Sequence, residues 1–159
     1  MQRRQDLFFL YKHYDMPRVT VGGSVMMKNM ELISTKICKT SDIGVNDNLF
    51  GGTLLSWMDE AGGTFSATKC CTPNMITLKI DEVLFKEPVK VKQHIKIYGK
   101  VLGVGKSSLK ILVEARKVNF SESHEDTVCS TQMLFVRIND RGEAIPIDEE
   151  IRVNIVKSL

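Results

Sequence analysis

The chain has 159 residues, of which 43% are hydrophobic, 26% charged and 7% aromatic, a composition that suits one globular domain and excludes disordered and collagen-like classes. Its 22 basic and 19 acidic side chains leave a net charge of +3, too small an excess to build a surface that tracks nucleic acid, so none is expected as a partner. No stretch reaches the roughly 20 apolar residues of a bilayer-spanning helix, and the apolar run Leu7 to Tyr11 stops at Lys12, short of the ~7–15 residue core of an export signal.

The expected location is therefore the cytoplasm, with no membrane association. Cys38, Cys70, Cys71 and Cys129 are spaced neither as a disulfide framework nor as paired zinc knuckles, so reduced thiols are expected. Residues 1–28 differ from the rest in carrying mixed charge, Pro17, Gly22-Gly23 and clustered methionines without a sustained period. They are expected to form an appendage, disordered or packed on a neighbour, ahead of a single domain over 29–159.

From Met30 the pattern sharpens, and Leu32, Ile33, Ile37 and Cys38 among Ser, Thr and Lys predict a first strand. Ser41 to Asn48 is rich in residues that hydrogen-bond their own backbone and predicts a loop. Gly52 to Cys70 is the one long helical candidate. Its Leu54, Leu55, Trp57, Met58, Ala61, Phe65 and Ala67 leave almost no continuous polar face, which predicts burial nearly all round. Gly62 and Gly63 in its middle cost about 1 kcal/mol each relative to alanine, so another backbone is expected to approach there.

After Thr72-Pro73-Asn74, four alternating segments predict long antiparallel strands: Met75 to Phe85, Val91 to Leu102, Ser107 to Asn119 and Thr127 to Ile138. Turn-forming residues separate them at 86–88, 103–106 and 121–126. The predicted class is α+β, a strand and a central helix followed by a wrapping antiparallel sheet.

The candidate chemistry gathers at the loop and helix. Asp59 shares a helix face with Leu55 and Gly62, so its carboxylate is expected to be partly shielded from water and a better base or nucleophile than an exposed one. Gly51 and Gly52 at the helix entry offer backbone N–H groups and room for a polarised carbonyl. The plainer alternative is a tight Gly-Gly turn with Asp59 ion-paired at a subunit contact. Gly103-Val104-Gly105-Lys106-Ser107-Ser108 is not a P-loop, because Lys100 stands where the first glycine belongs and the segment joins two strands. It remains a hairpin turn able to meet a phosphate. His13, His94 and His124 have no partner at metal-ligand spacing, so no metal is expected, and no Gly-x-Ser-x-Gly elbow exists.

The run from Asn48 through Phe50-Gly51-Gly52 and Trp57-Met58-Asp59-Glu60 to Gly62 closely resembles the loop and central helix of YciA-type and brain-type acyl-CoA thioesterases. The similarity continues through Phe85-Lys86-Glu87-Pro88-Val89 and Val104-Gly105-Lys106-Ser107-Ser108, and covers about residues 30 to 145. It implies a hotdog fold, a double-hotdog dimer assembled as a homohexamer, and hydrolysis of medium- or long-chain fatty acyl-CoA. CoA then belongs to the substrate, and no separate cofactor is implied.

In that family the aspartate aligned with Asp59 is the catalytic carboxylate, as general base or nucleophile, and part of the CoA contact falls on the hairpin matched by Lys106, Ser107 and Ser108. The resemblance departs at one place: family members carry an asparagine where Gly44 stands. Asn46 and Asn48 are the carboxamides available to replace it through a different loop path. That departure also motivates an alternative, a non-catalytic acyl-CoA-binding or regulatory hotdog protein. A hotdog dehydratase would need a histidine in the helix or its entry loop, and there is none.

Overall fold

The computed structural model of the protein describes residues 30–159. The expected appendage over 1–28, and His13 within it, lie outside the described residues. Strand β1 (Glu31–Ile37) leads through two single 3-10 turns, Thr40–Asp42 and Val45–Asp47, into helix α1 (Gly51–Cys70). Then follow β2 (Met75–Ile80), β3 (Leu84–Phe85), β4 (His94–Val104), β5 (Ser108–Asn119), β6 (His124–Arg137) and a terminal helix α2 (Glu149–Ser158).

All strand pairs are antiparallel, in the order β1-β4-β5-β6-β2, with β3 also pairing β6. Tight turns set the three central strands side by side, since only 105–107 separates β4 from β5 and 120–123 separates β5 from β6. Alternation then decides the faces. Leu109, Ile111, Val113 and Ala115 of β5 are wholly buried, with Ile95 and Ile97 of β4 and Met133 and Phe135 of β6 beside them. Against this face α1 packs Leu54, Met58, Ala61 and Phe65, and each large side chain so buried stabilises the fold by about 1.5–3 kcal/mol.

Phe65 reaches β4 because Gly99 has no side chain, for a Cβ there would stand 3.2 Å from its ring. The helix closes on Cys71, whose left-handed backbone (φ 50°) turns its N–H back to the carbonyls of Ala67 and Thr68.

Four expectations need correction. The helix is not buried nearly all round in the single chain, because Gly52, Ser56, Glu60, Thr64 and Thr68 recur every fourth position and form an exposed stripe. What approaches Gly62 is a set of side chains rather than a backbone: a Cβ there would lie 3.1 Å from Phe135 and 3.3 Å from Ile111 and Met133, whereas one at Gly63 would meet only Phe135 at 3.8 Å. The segment 75–85 is two strands, broken at Asp81-Glu82-Val83, which leave the ladder between two pairings to β6. Helix α2 was not anticipated, although Asp148 precedes Glu149-Glu150 and then Ile151 and Ile155, a start signal and a four-residue spacing.

Candidate active site

The entry to α1 is built by a loop folded back on itself. Ile43 and Leu49 form an isolated antiparallel bridge, the Gly44 N–H donates to the Asn48 carbonyl at 2.8 Å, and the Phe50 N–H donates to the Asp42 carbonyl at 2.9 Å. Reversing direction in so few residues places Asn46 and Asp47 in the left-handed region (φ 58° and 53°), which short polar side chains tolerate best. The Leu49 N–H then donates to the Val89 carbonyl at 2.7 Å, fixing the helix start to the chain before β4.

No side chain caps α1, so the first-turn N–H groups at Gly51 and Gly52 carry the positive end of the helix dipole unneutralised. Beside them lies a pocket of about 340 Å³, lined mainly by Leu49, Gly51, Leu54, Phe85, Pro88 and Val128. Its walls are largely apolar, as an acyl chain requires.

Asp59 lies two turns further along α1 and is half-buried. The Thr77 hydroxyl, from edge strand β2, donates to its Oδ1 at 2.6 Å. Among the described residues no ion pair engages the carboxylate within the chain, and the plainer alternative, an ion pair at a subunit contact, concerns a neighbouring copy. The adjacent Glu60 points to the other edge of the sheet, pairs with Lys36 of β1 at 3.4 Å and is exposed. Thr77 is the site residue that sequence reasoning missed, and its only signal is a hydroxyl amid the apolar residues of β2.

The expected residues do not all meet in one chain. Eight residues of helix at 1.5 Å each separate Gly51 from Asp59 by about 12 Å, and Asp59 does not line the pocket. The two candidate carboxamides also differ. Asn46 is exposed, with its backbone carbonyl accepting from Lys90 Nζ at 2.9 Å. Asn48 turns inward, and its Oδ1 is buried without a partner among the described residues, a state that costs roughly 1–3 kcal/mol unless a ligand or water satisfies it.

At Gly44 the ring of Phe50 takes the space, since a Cβ would stand 3.2 Å from two Phe50 atoms. In the β4–β5 turn Lys106 is exposed and Ser107 half-buried, whereas Ser108 is fully buried and its hydroxyl points under the turn toward Gly105. Ser108 pairs with Val136 and Val136 with Ile76, next to Thr77. The turn therefore lies about two strand spacings, ~10 Å, from the row that holds Asp59.

The buried Cys70 and Cys129 thiols are poor nucleophiles here. Burial pushes Cys70 up to about 11, with Cys71 adding to the shift and Arg137 opposing it, and burial likewise pushes Cys129 up to about 11. His94 stacks edge-on against Phe120, and His124 sits at the surface 3.2 Å from Glu122 and Asp126.

Residues 46–119, from the loop through β5, match the thioesterase superfamily. Over 132 residues the chain is 31% identical to a Haemophilus influenzae protein named an uncharacterized acyl-CoA thioester hydrolase, spanning 80% of this chain and 84% of the relative. The chain belongs to the hotdog thioesterase superfamily. Among solved members, a hexameric hotdog fold thioesterase of Campylobacter jejuni superposes with a TM-score of 0.68 at 31% identity, over 79% of this chain and 96% of that one. A Bacillus subtilis relative named an uncharacterized acyl-CoA thioester hydrolase is 26% identical over 129 residues, 74% of each chain. Hotdog membership accounts for the long helix gripped by an antiparallel sheet. Helix α2 lies beyond the matched residues 46–119.

Proposed function

We propose that this hotdog protein hydrolyses medium- and long-chain fatty acyl-CoA to free fatty acid and CoA, with Asp59 as the catalytic carboxylate. The observation that carries the reading is a half-buried aspartate on the family's central helix, outside any ion pair among the described residues and oriented by one hydroxyl. As general base, Asp59 takes a proton from water while the water oxygen bonds to the thioester carbon. The C–S bond then breaks, and the CoA sulfur leaves with the electron pair and is protonated. As nucleophile, Asp59 bonds to that carbon first and the C–S bond breaks, the CoA sulfur leaving with the electron pair to be protonated; water then cleaves the resulting anhydride to give the fatty acid and restore the Asp59 carboxylate. Either route develops negative charge on the carbonyl oxygen, which backbone N–H groups at Gly51 and Gly52 suit.

The ~12 Å between those amides and Asp59 exceeds what one carbonyl bridges, so the complete site takes the helix entry of one copy and Asp59 of another. A double-hotdog dimer supplies that arrangement, assembled as a homohexamer like the Campylobacter jejuni relative. The apolar pocket at the helix entry favours longer acyl chains. CoA enters as part of the substrate, with no separate cofactor. Residues 29–159 form one catalytic domain, and the location is cytoplasmic. Among the described residues no helix is long and apolar enough to cross a membrane.

Asp59→Asn and Asp59→Ala are expected to retain the circular dichroism spectrum and lose turnover by roughly 10²–10⁴-fold in a thiol-release assay. Wild-type rates in both variants would overturn the assignment. A second reading, an acyl-CoA-binding protein without turnover, is favoured by Gly44 and the Phe50 ring that covers it. Micromolar acyl-CoA binding with no CoA release from the wild-type chain selects it.

A further inference from the structure

Both glycines at the start of α1 are faced by aromatic rings. A Cβ on Gly51 would stand between 3.2 and 3.7 Å from three atoms at the tip of the Phe85 ring, and one on Gly52 would stand 2.6 Å from the Phe50 ring. A methyl-sized group therefore fits tightly beside the first ring and not at all beside the second. Successive helical residues are about 100° apart around the axis, so the two rings stand on adjacent sides of the turn that carries the free amides.

The rings are more than half exposed, 56% for Phe85 and 59% for Phe50, yet the backbone under each is fixed. Phe85 pairs with Cys129 in the ladder from β3 to β6, and the Lys86 N–H donates to the Val128 carbonyl at 2.8 Å. The Phe50 N–H is held by the Asp42 carbonyl. Phe85 is also a wall of the apolar pocket that begins at Gly51 and takes in Leu49, Leu54 and Val128.

A thioester whose carbonyl oxygen meets the Gly51 and Gly52 amides carries its next carbon one bond from the carbonyl carbon, at the tip of the Phe85 ring, and the rest of the chain runs on into the pocket. A straight chain presents a CH2 there. A branched one adds a methyl group where the ring and the helix backbone already meet closely, and Phe50 closes the neighbouring side. One such group in a close-packed apolar site changes the rate by roughly 10–200-fold.

We infer that the Phe85 ring restricts this site to acyl thioesters unbranched at the carbon next to the carbonyl. The inference rests on the acyl-CoA reading above and deepens it by narrowing the substrate class. Its residues all belong to one chain, so the selection is independent of which copy supplies Asp59.

The test compares decanoyl-CoA with 2-methyldecanoyl-CoA in a thiol-release assay on the full-length wild type, Phe85→Ala and Phe85→Leu. The wild type is expected to favour the straight chain by about tenfold or more in kcat/KM, Phe85→Ala to reduce that preference to within about threefold, and Phe85→Leu to fall between them. A wild type without preference overturns the proposal. So does a preference unchanged in Phe85→Ala, even where both rates fall together, because that pattern marks a structural role. Where Phe85→Ala alters the oligomeric mass, the comparison is read on Phe85→Leu: a relaxed preference supports the proposal and an unchanged one overturns it. Where the wild type releases no CoA from either thioester, calorimetric titration with the non-hydrolysable ketones 2-oxoundecyl-CoA and 3-methyl-2-oxoundecyl-CoA replaces turnover. Tighter binding of the straight ketone that Phe85→Ala abolishes upholds the proposal and rejects only the thioesterase reading, and equal binding of the two overturns it.

Discussion

Thr77 Oγ1 lies 2.6 Å from Asp59 Oδ1 and fixes one oxygen of the carboxylate, leaving the other for the water or thioester of the proposed reaction. Thr77→Val keeps the volume but removes the donor, so kcat is expected to fall about tenfold with little change in melting temperature, while Thr77→Ser restores most of the rate. A loss of stability matching the loss of rate would make Thr77 structural instead. Asp59 stood out in the sequence as a carboxylate two turns after a Gly-Gly entry among apolar residues, but spacing left a structural use open, and only the family resemblance singled it out as the candidate catalytic group. Thr77 did not stand out, since its pairing crosses a turn and depends on which edge of the sheet reaches the helix. Nor did spacing separate Asn48 from Asn46; only the left-handed turn at 46 and 47 sends one inward and the other to solvent. The two central glycines divide in the same way. Gly62→Ala forces a methyl within 3.1 Å of Phe135 and is expected to destabilise by about 1–3 kcal/mol, whereas Gly63→Ala has room and gains up to about 1 kcal/mol of helix propensity. Urea midpoints of the two variants should move in opposite directions.

Among the elements, β1, β4, β5 and β6 were readable from alternation and turn residues, because each buries one face on the helix and that face repeats every second position. Alternation ran through Asp81-Glu82-Val83 as well, and only the two separate pairings with β6 reveal the break. Helix α2 escaped because it is short and only Ile155 is fully buried, so its period is carried by two isoleucines. The exposed stripe of α1 escaped because glycine, serine and threonine do not register as polar in a count of apolar residues. On the sheet face away from α1, Glu125 of β6 accepts from Lys96 Nζ at 2.6 Å and from the Tyr98 hydroxyl at 2.8 and 3.0 Å. Burial pushes the Glu125 carboxyl up, but these hydrogen bonds and the Lys96 and Arg116 charges outweigh it and hold the group below the usual carboxylate range. Its contribution to stability is therefore complete above the unfolded carboxylate pKa and is lost as pH falls through the lower folded value. Glu125→Gln is expected to lower the melting temperature at neutral pH, with the gap to wild type closing below about pH 4. A gap that stays constant with pH would show that the ionised carboxylate contributes nothing.

At the scale of the molecule, α1 is gripped from both margins of the sheet. Asp59 is held from β2, while Glu60 and Lys69 pair with Lys36 and Glu31 of β1. A helix so held keeps its entry and its carboxylate at a constant separation, which is why the proposed chemistry needs two copies. Light scattering is expected to give a mass near six times the 17.9 kDa chain, and an active monomer would refute the two-copy site. The packing of Phe50 over Gly44 also sets the cost of a larger residue at that turn. A Cβ at 44 would lie 3.2 Å from the Phe50 side chain, so a substitution there displaces this exposed ring by a few tenths of an ångström and couples the loop's path to the start of the helix.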